Sequence, residues 1–541
     1  MPYPIKNTTA QQTNTVRTLN FAFGVNQGGY GLTSSTAFWN GRPPNVSGYT
    51  AYVGNGTSSP TMYMFQNDTN VIQFATNLGC GYCTTIELSL FYILNSGTAI
   101  CLNAEPPNIV TSGLTIYLDA GFTTSYPKGL STWYDMSPNL NNSTLTNGPT
   151  YSSDGGGSLI FDGVDDYASV SIPNALSYTT ITICGFIKWL SFGGDMFLGM
   201  SLYDVWTASN CLGYNNANGN VVGINAATVT SLGLLGNWKH YTFVMNSSGL
   251  LSTNKIYIDG VSVGALTPVV GGDGTIPGFN TTLRLCDWLE GGYNSNLQYS
   301  NLQVYNRELT QSEILQNYYA GLQRFIPTDN LVLWLDGTNT NTRVITPTTA
   351  YDRSGNNYNG AFTNGTVLAH RDGGTVFSFD GVDDRITASL STLSTSSTWT
   401  IWVNRTQSVS FYNMFMSMGL PYFAFRTDGV IQFSNSINGI QRDLTFNPSL
   451  SNNVWYHFTF VSSFSAGNTT MIFYLNGVLQ AQSTFAGQQS TTTLSSYTLG
   501  DWTLASYPFK GKIGDARLYS RALTLNEIQT IYTAGKPRYG L

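Results

Sequence analysis

The chain has 541 residues, and at roughly 150 residues per domain it is long enough for three or four domains. Charged residues make up 10% of it, against about 25% in an ordinary soluble protein, while Gly, Tyr and Phe number 56, 33 and 29. This composition predicts an all-β protein rich in turns and excludes long amphipathic helices. The formal charge is −6 and cations are not clustered, so nucleic acid is not expected as a partner.

Residues 1–108 contain aromatic segments separated by turn dipeptides at residues 28–29 and 55–56, which predicts a small N-terminal β-domain. The sequence begins without the charged and apolar segments of a signal peptide, so we expect folding without Sec export. The most apolar stretch, residues 86–102, carries Glu87 and is shorter than a membrane helix requires. Membrane insertion is therefore not expected.

The six cysteines are too few for a disulfide scaffold, which fits folding in a reducing cytosol. They are Cys80, Cys83, Cys101, Cys184, Cys211 and Cys286. Cys80 and Cys83 have the spacing of a redox or metal motif, but no second pair and no histidine lies near them in sequence. Buried or incidental thiols are favoured over cysteine chemistry, and the role of the Cys80–Cys83 pair stays open.

The most informative feature is an internal repeat of whole sequence blocks in the same order. The paired blocks are LTIYLD at 114–119 with LVLWLD at 331–336, FDGVDD at 161–166 with 379–384, WKHYTFV at 238–244 with WYHFTFV at 455–461, YIDGV at 257–261 with YLNGV at 474–478, DW at 287–288 with 501–502, and YNRELTQSEI at 305–314 with YSRALTLNEI at 519–528. The offsets are 217, 218, 217, 217, 214 and 214 residues. Such a period is too long for a solenoid, so each copy is predicted to be a complete domain.

Prolines mark the predicted boundaries between the domains. They follow Glu105 and Ile326. The predicted domains are residues 1–108, an N-terminal β-domain for assembly or anchoring, residues 109–326, the first copy, and residues 327–541, the second copy. Each copy is expected to consist of strands and hairpins.

Each copy also carries specific turn and helix signals. The dipeptides Asp259-Gly260 and Asn476-Gly477 are typical of tight hairpin turns. Residues 310–319 and 524–533 are predicted to be helical, because each segment starts with Thr and has Glu three residues later, as a capping box does. One short helix is therefore expected to close each copy.

The ordered blocks resemble the laminin-G-like group of concanavalin A-like lectin/glucanase domains, over about 430 residues. The resemblance implies a jelly-roll sandwich of two antiparallel sheets, so the full prediction is two tandem concanavalin A-like jelly rolls preceded by a small β-domain. Domains of this kind serve as sugar-binding modules, adhesion domains and parts of virion surfaces. The fold therefore does not specify an activity.

Hydrolytic members of that superfamily place acidic residues close together on one strand, because glycoside hydrolysis needs two carboxyl groups. The chain has six glutamates and none is part of a Glu-x-Asp-x-Glu arrangement. We therefore expect no enzymatic activity. The alternative is a hydrolytic site built from aspartates. Catalysis by the repeated His240 and His457 is also not expected, because neither follows a nucleophile motif, and a strand histidine with satisfied hydrogen bonds is the favoured interpretation.

Six aspartates in the repeated FDGVDD blocks are candidate calcium ligands. They are Asp162, Asp165, Asp166, Asp380, Asp383 and Asp384. Ca²⁺ takes six to eight oxygen ligands and favours carboxylates on loops, and some related domains bind calcium. The alternative is structural: Asp162-Gly163 forms a hairpin turn and the following aspartates accept hydrogen bonds from loop amides. No cofactor is assigned, and calcium stays open.

The repeated DW blocks supply the candidate ligand-binding residues. They are Asp287, Trp288, Tyr293, Asp501, Trp502 and Tyr507. A sugar site combines an aromatic ring that stacks on the apolar face of the sugar with an acid that accepts hydroxyl hydrogen bonds. Burial of the tryptophans in the core is the alternative.

Together these features favour a virion structural protein, such as a phage fibre, spike or capsid decoration. It would be made in the host cytoplasm and displayed on the virion surface. Its lectin-like domains would attach to host-surface glycans, and the N-terminal domain would bind other virion proteins. A homo-oligomer is expected, for which a trimer is one form. The alternatives are an extracellular adhesin or carbohydrate-binding protein and, less favoured, a polysaccharide depolymerase.

Overall fold

The computed structural model describes residues 109–337, 349–365, 367–371, 374–390, 394–407, 411–490, 496–502 and 507–541, together with seven short strands before them. The early strands are Thr18–Leu19 (β1), Thr50–Val53 (β2), Thr61–Gln66 (β3), Val71–Asn77 (β4), Ile86–Glu87 (β5), Phe91–Ile93 (β6) and Ala99–Cys101 (β7). β1 pairs with β5, β2, β3 and β4 form one sheet, and β6 pairs with β7. The predicted N-terminal domain and the side chains of Cys80, Cys83 and Cys101 lie outside the described residues.

The chain divides into two compact units, Pro106–Ile326 and a unit that comprises Met1–Glu105 and Pro327–Leu541. The first copy is made of strands with two α-helices. Its elements are Leu114–Asp119 (β8), Thr132–Trp133 (β9), Ser143–Thr146 (β10), Thr150–Ser152 (β11), Ser158–Asp162 (β12), Tyr167–Ser171 (β13), Thr180–Trp189 (β14), Met196–Gly199 (β15), Tyr203–Ala208 (β16), Cys211–Asn216 (β17), Val221–Ile224 (β18), Ala226–Ser231 (α1), Trp238–Asn246 (β19), Lys255–Ile258 (β20), Val261–Ser262 (β21), Thr267–Val270 (β22), Thr282–Leu285 (β23), Asn296–Tyr299 (β24), Asn301–Tyr305 (β25) and Gln311–Leu322 (α2).

These strands form two antiparallel sheets that pack on each other. One runs in the order β22-β18-β17-β16-β15-β23-β13-β10-β9, and the other runs β11-β12-β24-β14-β19-β20-β21, with β25 joining β14 to β8. The side chains between the sheets form one buried cluster, which includes Trp133, Trp189 and Tyr241. The first copy is therefore a two-sheet sandwich with an apolar core between the sheets.

The second copy has the same arrangement, with sixteen strands among its described residues. Its elements are Leu331–Asp336 (β26), Thr349–Ala350 (β27), Gly360–Thr363 (β28), Val367–Arg371 (β29), Gly374–Asp380 (β30), Arg385–Ala388 (β31), Ser397–Gln407 (β32), Tyr412–Ser417 (β33), Tyr422–Arg426 (β34), Ile431–Ile437 (β35), Ile440–Phe446 (β36), Trp455–Ser465 (β37), Asn468–Leu475 (β38), Val478–Ala486 (β39), Tyr497–Leu499 (β40), Lys510–Tyr519 (β41) and Leu525–Tyr539 (α3). Its sheets run β29-β30-β41-β32-β37-β38-β39, with β26 beside β41, and β27-β28-β31-β40-β33-β34-β35-β36. Trp399, Phe415 and Phe460 lie in the core between them. The predicted all-β architecture is confirmed for both copies.

The helix and hairpin signals are also confirmed. Thr310 and Thr524 cap α2 and α3, and each helix has a complete capping box. Both helices continue beyond the predicted segments, to Leu322 and Tyr539. In the two predicted hairpins the residues before and at the glycine have positive φ, 51° and 78° in the first copy and 51° and 73° in the second, as a type I′ turn requires.

The prediction of a hairpin at Asp162-Gly163 is wrong. β12 pairs with β11 and β24, whereas β13 pairs with β10 and β23 in the other sheet. The FDGVDD segment therefore crosses from one sheet to the other, and the same is true between β30 and β31 in the second copy. The dipeptide does turn the chain, with Gly163 at φ 79°. The two strands that it connects, however, pair with other strands in different sheets and not with each other.

A buried ion pair joins the first strand of each copy to the residues that follow its last strand. Arg324 donates to both carboxylate oxygens of Asp119, with Nη1 to Oδ1 at 3.1 Å, and Asp119 is fully buried. In the second copy Arg538 likewise donates to both oxygens of Asp336, with Nη1 to Oδ2 at 2.8 Å. The repeated Leu-Asp ending of the opening strand thus anchors the closing segment of the same copy.

Among the described residues, none of the helices is both long and apolar enough to span a membrane. The described thiols, Cys184, Cys211 and Cys286, are free and buried. Burial raises the pKa of Cys184 to about 12 and that of Cys286 well above its usual value. These three thiols therefore act as small apolar core groups.

Candidate functional site

The candidate site of the first copy is built on the loop that follows β23. Asp287 at the start of this loop is buried, and its Oδ1 accepts hydrogen bonds from the backbone amides of Trp288 at 2.8 Å and Tyr293 at 3.1 Å. Its other oxygen, Oδ2, pairs with Arg284 Nη1 at 2.9 Å. Asp287 therefore shapes the loop and presents Trp288 and Tyr293, and it is not itself among the residues that line the pocket described next.

Trp288 and Tyr293 line an open pocket of about 350 Å³. Trp206 on β16 completes an aromatic wall. The centre of the Tyr293 ring lies 5.8 Å from the centre of the Trp206 ring and 5.9 Å from that of the Trp288 ring. Both Trp side chains are half-buried and Tyr293 is 45% exposed. The tryptophans are therefore neither fully in the core nor free on the surface, and their rings face a space of ligand size.

The polar side of this first-copy pocket lies on β16 and β17. Asp204 is 3% exposed, and its Oδ1 accepts a hydrogen bond from the backbone amide of Met200 at 2.7 Å. The side chain of Asn215 also hydrogen-bonds with Asp204, while its buried Oδ1 has no hydrogen-bond partner among the described residues. Burial, with the charge of Glu290 nearby, raises the pKa of Asp204 to about 7. Aromatic surface and buried acceptors thus meet in one pocket.

The second copy repeats the loop but not the pocket residues. Asp501 Oδ1 accepts hydrogen bonds from the amides of Trp502 and Tyr507, both at 2.7 Å. Trp502 Nε1 donates to Gly419 O at 3.2 Å, as Trp288 Nε1 donates to Ser201 O at 3.1 Å in the first copy. The two loops are therefore built in the same way.

The strands beside the two loops differ. Leu198 pairs with Val205 in the first copy and Met416 with Phe423 in the second, so Tyr422 corresponds to Asp204 and Ala424 to Trp206. Tyr422 is 7% exposed, and its ring lies 6.2 Å from that of Trp502. A packed ring thus takes the position of the buried acid. The ligand-binding role predicted for the DW residues of both copies stays a prediction.

The candidate calcium ligands come together in both copies. One carboxylate oxygen from each of Asp162, Asp165 and Asp166 lies within 4.8 Å of the others, and the same holds for Asp380, Asp383 and Asp384. Part of the structural alternative also holds, because Asp162 Oδ1 accepts from the amide of Val164 at 2.8 Å. Asp166 and Asp384 are buried, which raises the pKa of each. Calcium binding stays a prediction.

The repeated histidines are buried in the aromatic contacts of each copy. The ring of His240 lies 5.0 Å from Phe186 and 5.9 Å from Tyr318, and that of His457 lies 5.0 Å from Trp402 and 5.9 Å from Tyr532. Neither ring nitrogen of either histidine has a hydrogen-bond partner among the described residues. The expectation of satisfied hydrogen bonds is therefore wrong. Burial lowers the pKa of both rings to about 3, so they are neutral at physiological pH.

Sequence reasoning missed Asp204, Trp206 and Asn215. The segment that contains them gave no matching block in the repeat, because Tyr422, Ala424 and Ser434 take the corresponding positions. A signal was nevertheless present. Where two copies of one domain otherwise agree, a Trp and an Asp that occur in one of them mark a position where the copies have diverged.

Comparison with known proteins gives a family match and a set of similar structures. The sequence profile described as the concanavalin A-like lectin/glucanases superfamily matches residues 162–315 and 380–529, which together are more than half of the chain. None of the curated protein sequences compared with the chain matches it.

Three of the similar solved structures are two toxin binding domains and one domain of an arabinanase. The binding domain of Paraclostridial Mosquitocidal Protein 1 is 15% identical, with a TM-score of 0.30, over 38% of this chain and 52% of that one. Domain 4 of AbnA, an extracellular GH43 arabinanase from Geobacillus stearothermophilus, in complex with arabinotriose, is 20% identical, with a TM-score of 0.30, over 38% and 98%. The receptor binding domain of botulinum neurotoxin D is 19% identical, with a TM-score of 0.30, over 38% and 52%. The chain thus spans about half the length of the two toxin domains.

Proposed function

Because this chain belongs to the concanavalin A-like lectin/glucanase superfamily, we propose that it binds a glycan through the first-copy pocket. The observation that carries the proposal is the meeting of three aromatic rings with two buried acceptors, Asp204 and Asn215 Oδ1, in one open pocket. A sugar ring presents an apolar face and a rim of hydroxyl groups, so it suits both sides of this pocket. A purely apolar ligand would leave Asn215 Oδ1 without a donor.

Replacement of Trp206 by Ala tests this proposal. We expect at least tenfold weaker glycan binding, because one wall of the pocket is lost while Asp204 and Asn215 remain. The measurement is a glycan-array screen of the full chain, followed by titration calorimetry with the best neutral oligosaccharide. Phe122→Ala is the matched control, because Phe122 is an aromatic side chain of the same copy, 51% exposed and away from the pocket. Equal affinities of the two variants, both folded by circular dichroism, contradict the proposal.

We propose that the role of the pocket is binding rather than hydrolysis. Of the described residues that line the pocket, Asp204 is the one with a carboxyl group. Glycoside hydrolysis uses two carboxyl groups that flank the scissile bond. Release of reducing ends from the glycan that binds best, lost in Asp204→Asn, would favour the depolymerase alternative instead.

We further propose that the chain is a structural protein of a virion surface, a fibre, spike or capsid decoration that displays its two lectin-like domains towards host glycans. Residues 1–108 would bind other virion proteins and the chain would form a homo-oligomer. The low charge, the tandem lectin-like domains and a single N-terminal segment outside the repeat support this proposal.

Deletion of residues 1–108 tests the anchoring role. We expect the shortened chain to be absent from purified particles while its two remaining domains keep their folded circular dichroism signal. Particles are assayed by immunoblotting, with the Trp206→Ala full chain as the control that keeps the anchor. Normal incorporation of the shortened chain contradicts the anchoring role, and a full chain recovered free of any particle favours an extracellular adhesin.

A further inference from the structure

Two polar groups of the first-copy pocket are buried hydrogen-bond acceptors with negative charge beside them. Asp204 lines the pocket and is buried, and Asn215 Oδ1 is buried there without a partner among the described residues. The charge of Glu290 acts on Asp204, and the Glu290 side chain accepts a hydrogen bond from the hydroxyl of Ser201, which lines the pocket. A ligand that satisfies Asn215 Oδ1 must therefore supply a donor.

The cationic and indole donors nearby are already engaged. Trp206 Nε1 donates to Gly194 O at 2.9 Å, and Trp288 Nε1 donates to Ser201 O. Arg284, on β23, donates through Nη1 to Asp287 at 2.9 Å and to Trp288 O at 3.0 Å, and its guanidinium lies over the ring of Tyr167. The described residues that line the pocket include no Lys, Arg or His.

From this arrangement we propose that the pocket selects uncharged, hydroxyl-bearing sugars over sugars that carry a carboxylate or a sulfate, and that Asp204 is the residue that determines this selectivity. The inference rests on the proposed glycan-binding function. A hydroxyl group donates to Asn215 Oδ1, which has no donor among the described residues, or adds a donor to the Asp204 carboxylate. An anionic group brought to the same place meets the charges of Asp204 and Glu290 without a free cation, so selection works by repulsion as well as by attraction.

This selectivity belongs to the first copy. In the second copy Tyr422 stands in place of Asp204 and Ser434 in place of Asn215. The hydroxyl of Tyr422 accepts hydrogen bonds from Gln432 at 3.0 Å and Gln441 at 3.3 Å. The same strand position is therefore a neutral aromatic contact in the second copy and a buried acid in the first.

The test compares matched pairs of glycans on the full chain. The probes are neutral oligosaccharides and the same oligosaccharides extended by sialic acid or carrying a sulfate, for example lactose and 3′-sialyllactose, measured by titration calorimetry. We expect each bound neutral member to bind at least tenfold more tightly than its anionic partner. Anionic partners that bind equally or more tightly overturn the selectivity but leave glycan binding intact. Absence of binding to every probe overturns the proposed function and this inference with it.

Two variants assign the selectivity to its residues. Asp204→Asn is expected to bind the neutral probe about tenfold more weakly and to lose most of its preference over the anionic probe. Glu290→Gln changes an exposed side chain, so it tests the repulsion without altering the buried Asp204, and we expect the preference to fall about two- to threefold. An unchanged preference in both variants, each folded by circular dichroism, overturns the assignment.

The pH dependence gives an independent readout. Because the pKa of Asp204 is raised to about 7, its ionised form, the stronger acceptor, is lost as the pH falls through neutrality. We expect the affinity for the neutral probe to fall by up to about tenfold from pH 8 to pH 6 in the natural chain and to stay nearly constant in Asp204→Asn. The charge of Glu290, in the loop after β23, also acts on Asp204, so the titration is repeated in Glu290→Gln. A flat profile in the natural chain overturns the role of the Asp204 charge.

Discussion

We expect the substitution Asp119→Asn to lower the free energy of unfolding of the first copy by about 3 kcal/mol or more. Asp119 is fully buried, and both of its oxygens accept hydrogen bonds from Arg324, whose side chain is 13% exposed. Removal of one partner of such a pair leaves the other charge buried and unpaired, which typically costs about 3–5 kcal/mol. In a domain of this size the loss corresponds to a fall in melting temperature of roughly 6 °C or more.

Thermal unfolding followed by circular dichroism measures the effect. Glu308→Gln is the matched control, because it removes an ion pair of the same copy, with Lys255, in which both side chains are 44–48% exposed. Exposed pairs contribute about 1 kcal/mol or less, so the melting temperature of this variant should stay near that of the natural chain. Similar shifts for the two variants would show that the Asp119–Arg324 pair does not hold the copy together.

The second large effect is a loss of stability in acid that depends on His240 and His457. Each ring has its pKa lowered to about 3 by burial, compared with 6.5 when exposed. Between these values the unfolded chain binds a proton that the folded chain excludes. The stability contributed by the neutral rings is therefore complete above pH 6.5 and is lost as the pH falls towards 3, by about 1.4 kcal/mol per pH unit for each histidine.

Urea denaturation at several pH values between 7 and 4 checks this prediction. We expect His240→Phe and His457→Phe to flatten the pH dependence of the first and the second copy respectively, because a Phe ring fits between the same aromatic neighbours and does not titrate. Buried carboxyls with raised pKa, such as Asp195 and Asp501, act in the opposite direction, so the comparison is between variant and natural chain at each pH. Parallel curves would contradict the assignment to histidine.

The architecture of both copies could be predicted from the sequence because its signals are local or repeated. The Thr caps with Glu three residues later predicted both closing helices, and the Asp-Gly and Asn-Gly dipeptides predicted two hairpins. The duplication made each of these signals visible twice. The position of the repeated histidines within a strand was also predicted, and they lie on β19 and β37.

The sheet crossing at Asp162-Gly163 could not be predicted, because the sequence of a turn does not show which sheet the next strand joins. The pocket was missed for a related reason. Its residues come from β15, β16, β17, the loops beside them and the loop after β23, separated by up to 97 residues, and they meet through strand pairing. The DW block gave Trp288 and Tyr293, but nothing local connects them to Asp204. The unpaired ring nitrogens of the histidines depend on the side chains packed around them, which the sequence does not specify.

The pairing of β8 with β25 also affects how the first copy folds. Asp119 lies beside Asn301 and Leu114 beside Tyr305, and the Arg324 contact joins residues 205 positions apart. Contacts between residues so far apart in sequence form late and slowly, because a large loop must be ordered first. During synthesis the first copy cannot complete its sheet until nearly all of it has left the ribosome. Until then β14 lacks its β25 neighbour and exposes an unpaired edge, so this interval is when the nascent chain is most prone to aggregation.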